Sequence, residues 1–166
     1  MITIHPVTIE DAAVYLQLRA QLDVETKFML LEPGERTITI AQERERLQAL
    51  LAADNSMVFL AETENEAIGF LSADGGKFRR NHHTAHIVIG IRATHTHQGI
   101  GTRLFQACET WARERALHRL ELTVMTHNHL GIALYKKMGF MIEGTAPDAL
   151  RVDGQYVDLH YMSKLL

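Results

Sequence analysis

The chain reads as an α/β protein, a mixed central β-sheet with helices on both faces, organised as one domain over residues 1–166. Three observations lead there. The periodic segments run β, α, α and then mostly β-α-β-α-β-β. The run at residues 84–92 puts Ile87, Ile89 and Ile91 on one face and Val88 and Gly90 on the other. Both faces are apolar at its centre, so it belongs inside a sheet. Gly99 and Gly101 then mark a strand-to-helix junction, and the helix that follows carries Leu104, Phe105, Cys108, Trp111 and Ala112 on one face.

Each element has its own signal. Residues 2–7 alternate as a strand, and Thr8 with Asp11 resembles a capping box in which an aspartate replaces the longer glutamate. Val14, Tyr15, Leu18 and Leu22 repeat at helical spacing, predicting a first helix of about four turns. After the turn at Glu32-Pro33-Gly34, residues 36–53 carry Leu47, Leu50 and Leu51 on one face, with the run Glu43-Arg44-Glu45-Arg46 expected mostly in water. Two β-like runs, 57–61 and 67–72, flank Glu62-Thr63-Glu64-Asn65-Glu66, which suits a hairpin turn, and Asp74-Gly75-Gly76 ends the second. Leu120, Leu122 and Val124 alternate with Glu121, Thr123 and Met125 as a strand. Asn128 caps a short helix that Gly139 ends, and strands at 140–143 and 155–162 close the chain around the turn at residues 151–154.

Composition narrows the function classes. At 166 residues the chain buries about two-thirds of its unfolded surface. Its 46% hydrophobic and 22% charged residues are ordinary for a globular protein. A formal charge of −3 provides no global field for nucleic acid or anionic membrane, and no apolar run approaches a membrane span. The short basic loop Lys77, Phe78, Arg79, Arg80 and Asn81 is too small to reverse that. The lone Cys108 has no internal disulfide partner, and the N-terminal residues lack the build of a signal peptide, so a cytoplasmic setting is expected. The ten histidines fall mostly in predicted loops, and no metal is assigned to them.

The glycine junction carries chemistry. Without Cβ atoms, Gly99 and Gly101 let backbone amides approach an anion closely, and the helix N-terminus adds partial positive charge. Neither of the common phosphate loops is present: there is no G-x-x-x-x-G-K-[ST], and Leu104 stands where a third glycine would complete G-x-G-x-x-G.

A second motif sharpens the reading. Asn128-His129-Leu130-Gly131-Ile132-Ala133-Leu134-Tyr135-Lys136-Lys137-Met138-Gly139-Phe140 closely resembles the N-x-x-A-x-x-L-Y-x-K-x-G-F signature of the GNAT family of N-acetyltransferases. Gly99-Ile100-Gly101 resembles the end of that family's Q/R-x-x-G-x-G/A acyl-CoA loop, at the right distance from the signature. The resemblance implies a mixed sheet splayed open at the strands before and after the glycine turn, with acetyl-CoA as co-substrate in the gap and no metal. By position, backbone groups of Ile89, Ile91 and Arg92 would serve the pantetheine arm, and His97, Gln98, Gly99, Ile100, Gly101 and Thr102 would surround the pyrophosphate. Asn128, Leu134 and Tyr135 would face the pantetheine and sulfur, and Lys137 the nucleotide end. Thr96 and His97 depart from the family's usual Gln/Arg and Gly. The C-terminal run at residues 139–162 resembles the bacterial branch that acylates free amino acids or other small amines. Homodimers are common in the family, so the resemblance implies a homodimer, with the C-terminal strands as the expected interface.

Acyl transfer from a thioester to an amine requires a neutral nucleophile, a stabilised carbonyl oxygen and a proton for the departing thiolate. Tyr135 suits proton donation, because a phenol of pKa about 10 keeps its proton until a thiolate of pKa about 8.5 leaves. At pH 7 an α-amine is already roughly a tenth neutral, whereas a lysine-type amine is neutral about four times in ten thousand, a gap near 3 kcal/mol. A small α-amine therefore needs little base. His86 and Glu121, on neighbouring strands, are the base candidates, Asp158 is the candidate for the substrate ammonium, and Lys77, Arg79 and Arg80 for a substrate carboxylate. The alternatives are transfer to protein N-termini or aminoglycosides, and a non-catalytic module that senses acyl-CoA.

Overall fold

The structure is a computed structural model that describes residues 1–64 and 66–166. Asn65, assigned above to the hairpin turn, lies outside the described residues. The elements are β1 (Thr3–Pro6), α1 (Ala12–Glu25), α2 (Ile40–Ala52), β2 (Met57–Glu62), β3 (Ala67–Gly75), β4 (Thr84–Ile91), α3 (Ile100–Glu114), β5 (Arg119–Met125), α4 (His129–Lys137), β6 (Met141–Val152) and β7 (Gln155–Leu165). The seven strands form one sheet in the order β1-β2-β3-β4-β5-β7-β6. β4 and β5 pair in parallel and the other neighbours are antiparallel.

Strand alternation divides the core between the two faces. Along β2, Val58 and Leu60 turn to Tyr15, Leu18, Leu22 and Leu47 of α1 and α2. Phe59 and Ala61 turn to Leu104, Phe105 and Cys108 of α3 on the opposite face. The helices thus cover both faces, as the periodicity predicts.

Local signals set the helix ends. Asp11 Oδ2 accepts from the Thr8 backbone N–H at 2.7 Å and from its hydroxyl at 2.9 Å, and a single 3-10 turn precedes α1. Thr39 and Gln42 cap α2 reciprocally, the Gln42 amide donating to Thr39 Oγ1 at 3.2 Å and the Thr39 amide to Gln42 Oε1 at 2.9 Å. Asp153 and Gly154, both at positive φ (50° and 80°), make the two-residue turn between β6 and β7.

Three expectations need correction. Val14 lies outside the core face, 39% exposed. Glu43 is fully buried rather than hydrated, because Arg19 Nη2 and Arg46 Nη2 (2.9 Å) both bind its carboxylate. β6 runs through residue 152 instead of stopping at 143, because two register shifts carry it past residues that break the alternation.

Candidate active site

The parallel pairing of β4 with β5 covers only Thr84↔Arg119, Ala85↔Leu120 and His86↔Glu121. Beyond it the strands diverge and the sheet is splayed. The Arg92 amide donates to the Ile68 carbonyl at 2.8 Å, which fixes the alternation of β4: its even residues turn their main-chain groups to β3. The N–H and C=O of Ile89 and Ile91 therefore turn toward the gap, where β5 has withdrawn. The result is an unpaired strand edge inside a sheet, able to hydrogen-bond an extended chain that carries amides.

Arg92 does not join that strip, contrary to expectation. Its amide is used by Ile68, and its carbonyl accepts from the His95 amide at 2.9 Å. Its guanidinium holds Glu25 Oε1 at 2.6 Å, Glu66 Oε2 at 2.8 Å and Gln21 Oε1 at 3.3 Å, and the Glu25 contact leads in raising its pKa. Arg92 instead ties α1 to the end of β4.

The loop after β4 closes on the start of α3. His97 (φ 62°) and Gly99 (φ 76°) both take the left-handed conformation. The histidine thus departs from the family pattern in side chain, while its backbone adopts the shape that glycine favours. Thr96 Oγ1 donates to the Ala93 carbonyl at 3.0 Å, so it folds the loop, and Gln98 lies exposed beside it. Gly99 caps α3, and its carbonyl accepts from the Arg103 amide at 3.1 Å. The amides of Ile100, Gly101 and Thr102 form the first turn, whose donors have no partner within the helix. A Cβ on Gly101 would lie 2.6 Å from Leu134 Cδ2 and 3.3 Å from Ile91 Cδ1, so its absence lets α3, α4 and β4 converge. Lys137 Nζ reaches Thr102 Oγ1 at 3.3 Å and sets a cation beside the same turn.

Tyr135 is buried on α4, with its ring edge-on to Phe105 at 5.8 Å and 6.2 Å from Phe140. Its hydroxyl makes no hydrogen bond among the described residues, and burial pushes its pKa up to about 12. Asn128 caps α4, its Oδ1 accepting from the Gly131 amide at 3.0 Å, which leaves its NH2 unused by the cap. Gly139 (φ 91°) ends the helix, with the Phe140 amide donating to the Tyr135 carbonyl at 2.9 Å.

On the opposite face, His86 sits directly across from Asp74 on β3 and Glu121 on β5. Glu121 accepts from Arg119 Nε at 2.9 Å. The other end of Arg119 grips Glu143 through two 2.6 Å bonds, and with Ser163 it holds the Glu143 carboxyl at about 2. At the wide end of the splay lies a recess of about 710 Å³ lined by Glu25, Lys27, Phe28, His127, Tyr156 and Asp158 among others. Phe28 stacks against His127 at 5.1 Å, and an ion pair from Lys27 to Asp153 links the α1–α2 connection to the β6–β7 turn. Asp158 Oδ1 accepts from the Asp148 amide at 2.8 Å, leaving its second oxygen toward the recess. Lys77, Arg79 and Arg80 are exposed. A smaller recess of about 440 Å³, between α3 and β2 beside Phe59 and Trp111, lies apart from both motifs.

The structure therefore brings together Ile89, Ile91, the 97–102 loop, Leu134 and Lys137 on one side, and His86 with Glu121 on the other. Sequence reasoning missed Asp74, read only as part of a strand-ending turn. Extending the β3 alternation two residues past Ser72 and pairing it with β4 would have found it. Among the described residues no group of three or more His, Cys, Asp or Glu converges to hold a metal, and no helix is long and apolar enough to cross a membrane.

Known proteins share this fold. Over 106 residues, 61% of this chain, the sequence is 32% identical to the L-amino acid N-acetyltransferase AaaT of Escherichia coli. That match spans 64% of AaaT, just under two-thirds of its length. An L-methionine sulfoximine/L-methionine sulfone acetyltransferase of Pseudomonas paraeruginosa is 24% identical over 78% of this chain and 76% of its own. Among solved structures, a GNAT-family acetyltransferase from Streptococcus pneumoniae superposes with a TM-score of 0.96 at 26% identity, covering all of both chains. The fold is also that of yncA from Salmonella typhimurium, solved with its cofactor acetyl-CoA (TM-score 0.88, 19% identity, 100% of this chain and 94% of that one). The profile of the Acetyltransferase (GNAT) family matches residues 23–140, from the end of α1 through the splay to the Gly139-Phe140 stop of α4, and the chain belongs to that family.

Proposed function

We propose that the protein is an acetyl-CoA-dependent N-acetyltransferase that modifies the α-amino group of a free amino acid or a close analogue. The observation that carries this reading is the splay itself. An unpaired strip on β4 runs from the α3 N-terminus on one side to a polar and aromatic recess on the other. The names of the amino-acid acetyltransferases similar to this chain support the acceptor class.

The residues fit acetyl-CoA. The first-turn amides of α3, the left-handed positions at His97 and Gly99 and the Lys137 ammonium suit a pyrophosphate. The main-chain groups of Ile89 and Ile91 suit the two amides of a pantetheine arm. When bound, the co-substrate supplies an acetyl group activated as a thioester. The Ile91 N–H, turned into the gap, polarises the acyl carbonyl. Tyr135, whose hydroxyl has no partner among the described residues and whose pKa is pushed up to about 12, keeps its proton at neutral pH and gives it to the sulfur as the thiolate leaves. His86 accepts the amine proton, directly or through water, with Glu121 beside it in register. Asp158 and the cations around the recess bind the two ends of a zwitterion.

A thiol-release screen of acetyl-CoA against free amino acids, polyamines, aminoglycosides and N-terminal peptides tests the reading. Turnover with one or a few amino acids is expected. Acetyl-CoA binding without release of thiol on any amine would leave a sensing module instead.

A further inference from the structure

Two carboxylates flank His86 on the face opposite α3, and their situations differ. Glu121 on β5 is held by Arg119, itself bound to Glu143. The Asp74 carboxylate on β3 makes no hydrogen bond and no ion pair within 4.0 Å among the described residues, His86 included. It lies directly across from His86 in the β3–β4 register, at a position where alternation makes the two residues a hydrogen-bonded main-chain pair. Their side chains therefore project side by side from the same face. The rest of the surroundings is charged. Arg19 of α1 and Arg46 of α2 share buried Glu43, leaving that triad one positive charge in excess, and Lys77 follows β3. Arg46, His86, Arg19 and Lys77 all favour a charged Asp74. Desolvation by its neighbours outweighs them and pushes its carboxyl above the usual range, an upward push that the exposure of Asp74 to solvent tempers.

We propose that Asp74 is a positioning residue for His86: rotated about its side-chain bonds toward the neighbouring ring, its carboxylate accepts the ring N–H on its side and fixes the tautomer that leaves the other nitrogen as a proton acceptor. A carboxylate already committed to an arginine serves this purpose poorly, and Asp74 is the uncommitted one of the pair. The excess charge of the Arg19–Glu43–Arg46 triad opposes the desolvation of that carboxylate, so α1 and α2 bear on the base through Asp74. The proposal rests on the reading of His86 as the base, and its test separates the two.

The first measurement needs no ligand. Imidazole nitrogen NMR at a pH where the ring is neutral, with the His86 signals assigned by loss in His86→Gln, reports the tautomer. Wild type should be dominated by one tautomer, and Asp74→Asn should return a mixture. An unchanged tautomer ratio overturns the proposal. The second measurement is kinetic. Asp74→Asn should lower kcat about 10-fold with KM for the amine within twofold, Asp74→Glu should recover most of it, and Asp74→Asn should cost nothing further on a His86→Gln background. A rise in KM at constant kcat would make Asp74 a binder of the substrate ammonium, and an additive loss in the double variant would separate it from His86. Either result overturns the proposal. If His86→Gln alone leaves kcat intact, the base assignment fails, while the tautomer measurement still decides the pairing.

Discussion

Across the gap between β4 and β5, the side toward α3 and α4 is built from main chain, whereas the side toward α1, α2 and the β6–β7 turn is built from side chains. On the first side the groups aimed inward are the amides of Ile89, Ile91 and the first turn of α3, shaped by two left-handed residues and one missing Cβ at Gly101. On the second they are His86, Asp74, Glu121 and the recess residues, held by ion pairs that join distant segments: Arg92 with Glu25, Arg119 with Glu143, Lys27 with Asp153. On the function proposed above, the main-chain groups would meet what all acyl-CoA molecules share, and the side chains, which can vary without disturbing the sheet, would choose the amine.

The largest expected effect tests how far the second side depends on charged scaffolding. Glu43→Ala leaves Arg19 and Arg46 facing each other with Arg19 Nε already unpartnered and buried, and should cost about 3–5 kcal/mol of stability. Chemical denaturation measures it. A loss under 1 kcal/mol would mean that solvent reaches the triad and that the scaffold is looser than its burial implies.

Next comes the proton donor proposed on the main-chain side. Tyr135→Phe should lower kcat about 100-fold, close to 2.7 kcal/mol in the barrier, for every amine alike. Stability should move by less than about 0.5 kcal/mol, because the hydroxyl has no partner to lose among the described residues. The pH profile carries the sign. A donor functions below its own pKa, and with that pKa near 12 the wild-type kcat should show no basic limb up to about pH 10. A limb at lower pH, retained in Tyr135→Phe, would assign the donation elsewhere.

The same division explains what the sequence made legible. The main-chain side lies within one continuous stretch, residues 87–140, and its signals are local: glycines where φ is positive, an asparagine cap, a tyrosine at fixed spacing. Even the departure at His97 keeps the expected backbone. The assignment of Arg92 failed because its amide continues the β3–β4 ladder to the Ile68 carbonyl, a pairing set by cross-strand register that no local pattern encodes. Glu43 was misread for a related reason. A charged run looks hydrated until two arginines from different turns close over one member. Asp74 escaped because its meaning lies in cross-strand register, fixed only once β3 is known to continue to Gly75.

A smaller effect separates the sides by salt. Lys137→Met should raise KM for acetyl-CoA roughly 3- to 10-fold at low ionic strength, less at high salt, with kcat and the order of amine preference unchanged. A change in amine preference would place Lys137 on the wrong side of the division.

The smallest predicted change in stability falls on the link that closes the recess. Lys27 and Asp153 are 70% and 63% exposed, so Lys27→Met should change stability by no more than about 0.5 kcal/mol. Its effect on the acceptor should be larger than its effect on the fold. With the Lys27 cation gone, an amino acid loses one attraction for its carboxylate while the corresponding uncharged amine does not. KM for the amino acid should rise about 3- to 10-fold, and KM for its decarboxylated analogue and for acetyl-CoA should stay within twofold. Equal rises for the amino acid and the amine would show that Lys27 acts by holding the β6–β7 turn in place through Asp153, and Asp153→Asn, which breaks the same link but keeps the cation, would then reproduce the defect. If only Lys27→Met raises KM for the amino acid, the ammonium itself meets the carboxylate, and the side-chain half of the gap discriminates by charge.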